Sequence, residues 1–182
     1  AQVREAGIVF RIVHGDEARI EVTTDMHALY LRAFADKGNS AALTLPFFQH
    51  LATAMPRALV MILAQRNGAT IAGALCLRGG DTLYGRYWGC FEDVPGLHFE
   101  TCYYQGIDYC LREGLRVFEP GAQGEHKIAR GFLPVATHSR HHFVEPVIDA
   151  ASSRWCKEDC AAVDQYRRAV HPPCPHRPGA PP

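Results

Sequence analysis

The stretch Phe118-Glu-Pro-Gly-Ala-Gln-Gly-Glu-His-Lys-Ile-Ala-Arg-Gly-Phe132 holds the densest set of groups in the chain that could do chemistry. Pro120, Gly121, Gly124 and Gly131 frame Glu119, Gln123, Glu125, His126, Lys127 and Arg130. Glu119, Glu125 and His126 are candidate general bases, while Lys127 and Arg130 are fixed cations able to face a developing oxyanion. The glycines let the backbone turn with positive φ or approach a ligand closely. A short apolar run, Leu115 to Phe118, reads as a strand, and loops that leave strand ends are where such groups are usually presented. If residues 125–130 form a helical turn, His126 and Arg130 share a face.

A second group lies upstream in Thr82-Leu-Tyr-Gly-Arg-Tyr-Trp-Gly-Cys-Phe91. Strand alternation puts Tyr84, Arg86 and Trp88 on one face and Leu83, Gly85, Tyr87 and Gly89 on the other. Arg86 can stack between its aromatic neighbours or hold a carboxylate or phosphate bidentately. Two glycines inside a strand signal a bulge or a close approach. Trp88 and the tyrosines can floor a pocket. A third group, His138-x-x-His141-His142 with Glu125-His126, has metal-ligand residue types. A strand would place His141 opposite His138 and His142, and no zinc spacing is matched, so no metal is assigned.

The elements that must position these groups follow from periodicity. Ile8–Val13 reads as a short strand. Thr24 and Thr44 can cap two helices, with Met26, Leu29, Tyr30, Ala33 and Phe34 on the inner side of the first. Phe47, Phe48, Leu51, Ala52 and Met55 line the second, which Pro56 stops. Ala58–Gln65 and Thr70–Leu77 are joined by Arg66-Asn67-Gly68, a hairpin signal, and Gly79-Gly80-Asp81 turns the chain into Thr82–Phe91. These three runs form an antiparallel meander. Pro95-Gly96 precedes a helix with the stripe Phe99, Cys102, Tyr103, Ile107, Cys110 and Leu111, ended by Gly114. Strand, helix and strand at this spacing make a βαβ crossover, so Leu115–Phe118 runs parallel to Thr82–Phe91. Val135–Val144 reads as a further strand. Ile148, Ala151, Trp155, Ala162, Val163, Tyr166 and Val170 form the inner stripe of a last helix. The fold class is α/β (α+β), a mixed sheet with helices on both faces, and residues 1–170 form one domain. Residues 171–182 are Pro-rich and read as a disordered tail.

Composition excludes some roles. Nineteen basic and nineteen acidic residues cancel, so no global field draws polyanions. Seven cysteines without a Cys-x-x-Cys pair read as reduced thiols of a cytosolic protein. No run approaches the roughly eighteen apolar residues of a transmembrane helix, and there is no signal-peptide core. The chain begins without Met, which is consistent with processing or with a piece of a longer protein.

The order of elements is similar to the GNAT acyltransferase fold. More specifically, Asp81-Thr-Leu-Tyr-Gly-Arg-Tyr-Trp-Gly-Cys90, His98-Phe-Glu-Thr-Cys-Tyr-Tyr104 and Glu119-Pro-Gly-Ala-Gln-Gly-Glu-His-Lys-Ile-Ala-Arg-Gly131 resemble the FemAB-like family of peptidoglycan biosynthesis or recognition proteins. The resemblance spans roughly Gly7 to Pro146. It implies transfer of an acyl or aminoacyl group to an amine, with acyl-CoA or aminoacyl-tRNA as donor and a peptidoglycan precursor as acceptor. Glu119, Glu125 and His126 are then the candidate bases, and Tyr84, Arg86, Lys127 and Arg130 the carbonyl or anion partners. Trp88, His98 and Gln123 complete the binding set. Family members carry two related halves, and this chain resembles the C-terminal one, so an N-terminal half-domain is an implied partner. One departure stands out. The Gln/Arg-x-x-Gly-x-Gly/Ala phosphate loop of acetyl-CoA-binding GNATs is replaced by Glu92-Asp-Val-Pro-Gly-Leu97, whose carboxylates disfavour a pyrophosphate. The rival reading is a non-catalytic module that binds a peptide or glycan in the same cleft.

Overall fold

The computed structural model describes residues 2–121 and 124–170. Gln123 and the tail from His171 lie outside the described residues, as does the side chain of Glu125. The chain divides into two compact units, residues 1–122 and residues 123–182.

The first unit is built on a five-stranded sheet whose strands lie side by side in chain order. After a short α1 (Gln2–Glu5) come β1 (Ile8–His14), α2 (Ile20–Ala35), α3 (Leu45–Ala54), β2 (Leu59–Arg66), β3 (Ala69–Gly79) and β4 (Thr82–Cys90). The first four strands are antiparallel neighbours, and β5 (Val117–Glu119) pairs parallel to β4. The β2–β3 hairpin closes through Asn67 and Gly68, both at positive φ (53° and 82°) as a two-residue primed turn requires. The meander and the parallel pair thus form as their sequence signals indicate, and β1 extends the sheet by one more antiparallel strand.

Both faces are covered. Met26, Leu29 and Tyr30 of α2 and Phe48 and Ala52 of α3 pack on Leu59, Met61, Leu63 and Leu75. On the opposite face Tyr109 and Cys110 of the crossover helix pack on Val60, Ile62, Ala74, Cys76 and Leu83. Helix α2 starts one turn before Thr24, with Arg19 at its N-cap, and this added turn buries Val22 and Thr23. Thr24 is instead inside the helix, its hydroxyl bonded back to the Ile20 carbonyl at 2.7 Å.

The crossover helix differs from its expected stripe. It runs as α4 (Leu97–Phe99), a π-helical turn (Glu100–Tyr104) and α5 (Gln105–Glu113). The Gln105 N–H reaches the Glu100 carbonyl five residues back. That extra residue rotates the following turns, so Gly106, Tyr109 and Cys110 face the sheet while Leu111 is 76% exposed. Gly114 ends the helix in the left-handed region, at φ 66°. Its C-terminal part is tied to the sheet by side chains. Arg78 Nη1 donates to Glu113 Oε2 at 2.8 Å and to the Tyr109 hydroxyl at 3.4 Å, and that hydroxyl lies 3.4 Å from His14 Nε2. Burial pushes the Tyr109 phenol up, partly offset by Arg78. Tyr109→Phe is expected to cost about 1–2 kcal/mol in denaturant unfolding, since it strips a shared partner from a half-buried guanidinium. No measurable loss would mean that water replaces the hydroxyl.

In the second unit a 3₁₀ helix spans Glu125–Arg130 and α6 spans Pro146–Val170. The strand expected over Val135–Val144 is absent. These residues have no ladder partner and run as irregular chain; alternation in sequence makes a strand only when an edge is available to pair with. The inner stripe assigned to the last helix is also corrected. Ile148, Trp155, Val163 and Tyr166 are all exposed, Trp155 at 62%. The helix is amphipathic, but its apolar stripe is not buried here. Trp155→Ala is therefore expected to change unfolding free energy by less than about 0.5 kcal/mol, as for other surface substitutions. A loss of several kcal/mol on thermal unfolding would show that this stripe is covered in solution.

Candidate functional site

The site begins where β4 and β5 part. Their ladder contains only Thr82–Val117, Leu83–Phe118 and Tyr84–Glu119. The next residue on β5 is Pro120, which has no N–H to donate, so pairing stops there. One residue on, β4 bulges. Cys76 faces Gly85 and Leu75 faces Tyr87, which leaves Arg86 as the unpaired extra residue. Gly85 lies against the chain leaving β5, where an added Cβ would sit 3.5 Å from Pro120 Cα.

The bulge resets the alternation of β4. Tyr84 pairs with Leu77 and Tyr87 with Leu75, on the face that carries α2 and α3. Gly85 pairs with Cys76 and Trp88 with Ala74, on the face that carries the crossover helix. Tyr84, Arg86 and Trp88 therefore do not share one face, because the single inserted residue moves Trp88 to the side opposite Tyr84.

Between the parted strands and the crossover helix lies a cavity of about 140 Å³. Ala74, Leu75 and Cys76 of β3 and Gly85 to Trp88 of β4 form one wall. His98, Cys102 and Tyr103 of the helix form another, and Pro120 and Gly121 close it. Trp88 and His98 are half-buried with ring centroids 5.2 Å apart, and His98 also meets Tyr103 at 5.6 Å. The Cys76 thiol is pushed up to about 12, chiefly by burial, so it is neutral at pH 7 and acts as apolar wall, not as a nucleophile.

Of the residues singled out in the sequence, Arg86, Trp88 and His98 meet at this cavity. Tyr84 is on the other face and 37% exposed. Glu119, at the end of β5, is in register with Tyr84, and its Oε1 accepts the Gly121 N–H at 2.9 Å. The carboxylate thus holds the Pro120-Gly121 turn, where Gly121 has φ 93°. Among the described residues Arg86 and Glu119 form no ion pair. In the second unit Arg130 donates from Nη1 to the main-chain carbonyl of His126, so the two residues do come together one turn apart. Lys127 lies in the same 3₁₀ helix. His141 Nε2 is 2.8 Å from the Ser139 hydroxyl, and His142 Nδ1 is 3.5 Å from Asp149. Among the described residues no group of three or more His, Cys, Asp or Glu side chains is arranged to hold a metal.

Sequence reasoning missed Cys102, Tyr103 and Gly121 as cavity residues. Cys102 and Tyr103 were assigned to the packing stripe, and only the phase of the π turn shows that they border an opening.

The segment before the crossover helix fits a pyrophosphate poorly. Glu92 pairs with Arg66, Asp93 is exposed, and the N–H groups of Leu97 and Glu100 are already given to Val94 and Gly96 carbonyls. No helix of the described residues is long and apolar enough to cross a membrane.

A mixed sheet with an antiparallel meander, a βαβ crossover, a bulged fourth strand and a parted parallel pair defines the GNAT acyltransferase fold. Solved structures agree with this. An aminoglycoside acetyltransferase from an uncultured soil metagenomic sample, in complex with sisomicin, aligns at TM-score 0.51 and 12% identity over 78% of this chain and 97% of that one. A ribosomal-protein-alanine N-acetyltransferase from Brucella melitensis biovar Abortus 2308 aligns at 0.51 and 12% over 76% and 99%. The C-terminal domain of a putative lysylphosphatidylglycerol synthetase from Agrobacterium fabrum aligns at 0.51 and 10% over 64% of this chain and 36% of that one. The chain belongs to the FemAB-like family, described as peptidoglycan biosynthesis/recognition, whose model matches residues 1–178. Among curated proteins there is no match.

Proposed function

We propose that the protein transfers an acyl or aminoacyl group to an amine of a peptidoglycan-related peptide, with the β4–β5 cavity as the place of transfer. The observation that carries this reading is the coincidence of the bulge at Arg86 with the end of the ladder at Pro120, which opens a cavity floored by Trp88 and bordered by His98. The family supports the peptidoglycan connection. Such a transfer needs a group to take the proton of the attacking amine. His98 fills that role, since imidazole is the side chain suited to exchanging protons near neutral pH. Glu119 acts as a positioning residue through Gly121. The poor fit of the Glu92–Leu97 segment to a pyrophosphate favours an aminoacyl donor over acyl-CoA.

A non-catalytic peptide- or glycan-binding module is the second reading, favoured by one observation: among the described residues no carboxylate lines the cavity. Calorimetric titration with aminoacyl-tRNA, acyl-CoA and muropeptides, with turnover measured in parallel, separates the two. Binding of a muropeptide without turnover of either donor would leave recognition as the function; binding of none would remove both.

A further inference from the structure

We infer that Arg86 reads a carboxylate, so that the cavity takes the carboxyl end of an amino acid or short peptide. The inference rests on the reading of this cavity as a ligand site and names the chemistry of what enters it. Arg86 is the bulge residue of β4, and the bulge leaves it outside the ladder at the cavity wall. Two other arginines of the sheet, Arg66 and Arg78, each hold a carboxylate, Glu92 and Glu113. Among the described residues no carboxylate lies within 4.0 Å of Arg86. A guanidinium presents parallel N–H donors that match a planar carboxylate in a fork.

Size and charge select among anions. A cavity volume of about 140 Å³ gives room for a carboxylate and a small side chain. The other walls carry Ala74, Leu75 and neutral Cys76 on one side and Trp88, Tyr103 and the His98 imidazole on the other.

Trp88 borders the cavity, so its fluorescence reports occupancy once the other tryptophan, exposed Trp155, is replaced in a Trp155→Phe background. The probes are N-acetylalanine, the uncharged N-acetylalaninamide, inorganic phosphate and coenzyme A, each titrated into the full chain. N-acetylalanine is expected to bind at least about tenfold more tightly than its amide, a difference of about 1.4 kcal/mol. Arg86→Ala should bring the two to equal affinity, and Arg86→Lys should restore part of the preference. Circular dichroism melts check that both variants fold; should Arg86→Ala fail to fold, Arg86→Lys and the acid-amide comparison in the parent still decide. Equal binding of acid and amide, no binding of the acid, or tighter Arg86-dependent binding of phosphate or coenzyme A would each overturn the inference. Loss of transfer activity with the acid preference intact would instead count against the transferase reading alone.

Discussion

Gly89→Ala is expected to cost more than about 4 kcal/mol and to leave little folded protein at 37 °C. A Cβ at this position would lie 2.1 Å from the Leu29 carbonyl oxygen and 2.7 Å from its carbon. Both are backbone atoms of α2, so no side-chain rotation relieves the contact. Helix α2 must lift from β4, and its three most buried residues, Met26, Leu29 and Tyr30, are each 0–1% exposed. Full burial of one such side chain is worth about 1.5–3 kcal/mol, so even partial loss of three exceeds the usual cost of overpacking, about 1–3 kcal/mol. Against a total stability of about 5–15 kcal/mol, that is a large share. Gly73, its partner on β3, supplies the internal comparison. A Cβ there meets Leu29 Cδ1 at 3.0 Å and Met26 Sδ at 3.2 Å, both ends of flexible side chains. Gly73→Ala should therefore cost clearly less than Gly89→Ala in the same urea titration. If the two variants melt within about 2 °C of the parent, α2 does not rest on these glycines and its packing needs another account.

This pair also shows what was legible in the sequence. Two glycines in β4 announced a bulge or a close approach, and the structure contains both: Gly89 admits α2, and Gly85 sits beside the bulge. Which glycine did which could not be read, because a bulge leaves the residue types unchanged and shows only in the register against β3. The same limit applied to the crossover helix. Its ends at Pro95-Gly96 and Gly114 were plain, while the π turn, which brings Tyr109 inward and turns Leu111 out, depends on hydrogen bonding of i to i+5 type. The hairpin at Asn67-Gly68 was secure because φ > 0 at both turn positions is a strong chemical demand. Val135–Val144 failed for the opposite reason: a run of suitable residues carries no information about whether a neighbouring strand is present. For the site, Arg86, Trp88 and His98 were among the residues picked out, but the face of Trp88 relative to Tyr84 was not, since the inserted residue reversed the parity of β4.

His98→Gln is expected to lower kcat by about 10²–10⁴-fold with the fold retained, whereas Glu119→Gln is expected to lower it by no more than a few-fold. The two predictions follow from where each side chain lies. His98 borders the cavity with its ring tilted against Trp88, so glutamine keeps a polar side chain of similar reach but cannot accept a proton. Glu119 accepts the Gly121 N–H through Oε1, and a glutamine carbonyl accepts the same bond. Replacing Glu119 by Ala removes it, and the Pro120-Gly121 turn that closes the cavity loses its local partner, so binding should weaken along with turnover. The pH dependence separates a base from a brace. If His98 takes the proton of the amine, the acidic limb of the kcat profile seen in the parent flattens in His98→Gln and keeps its position in Glu119→Gln. Melting temperatures measured on the same preparations exclude unfolding as the cause. An acidic limb that persists in His98→Gln but vanishes in Glu119→Gln would move the base from the crossover helix to the end of β5. The carboxylate would then have to leave Gly121 during turnover, and the rate would come to depend on how readily that turn opens.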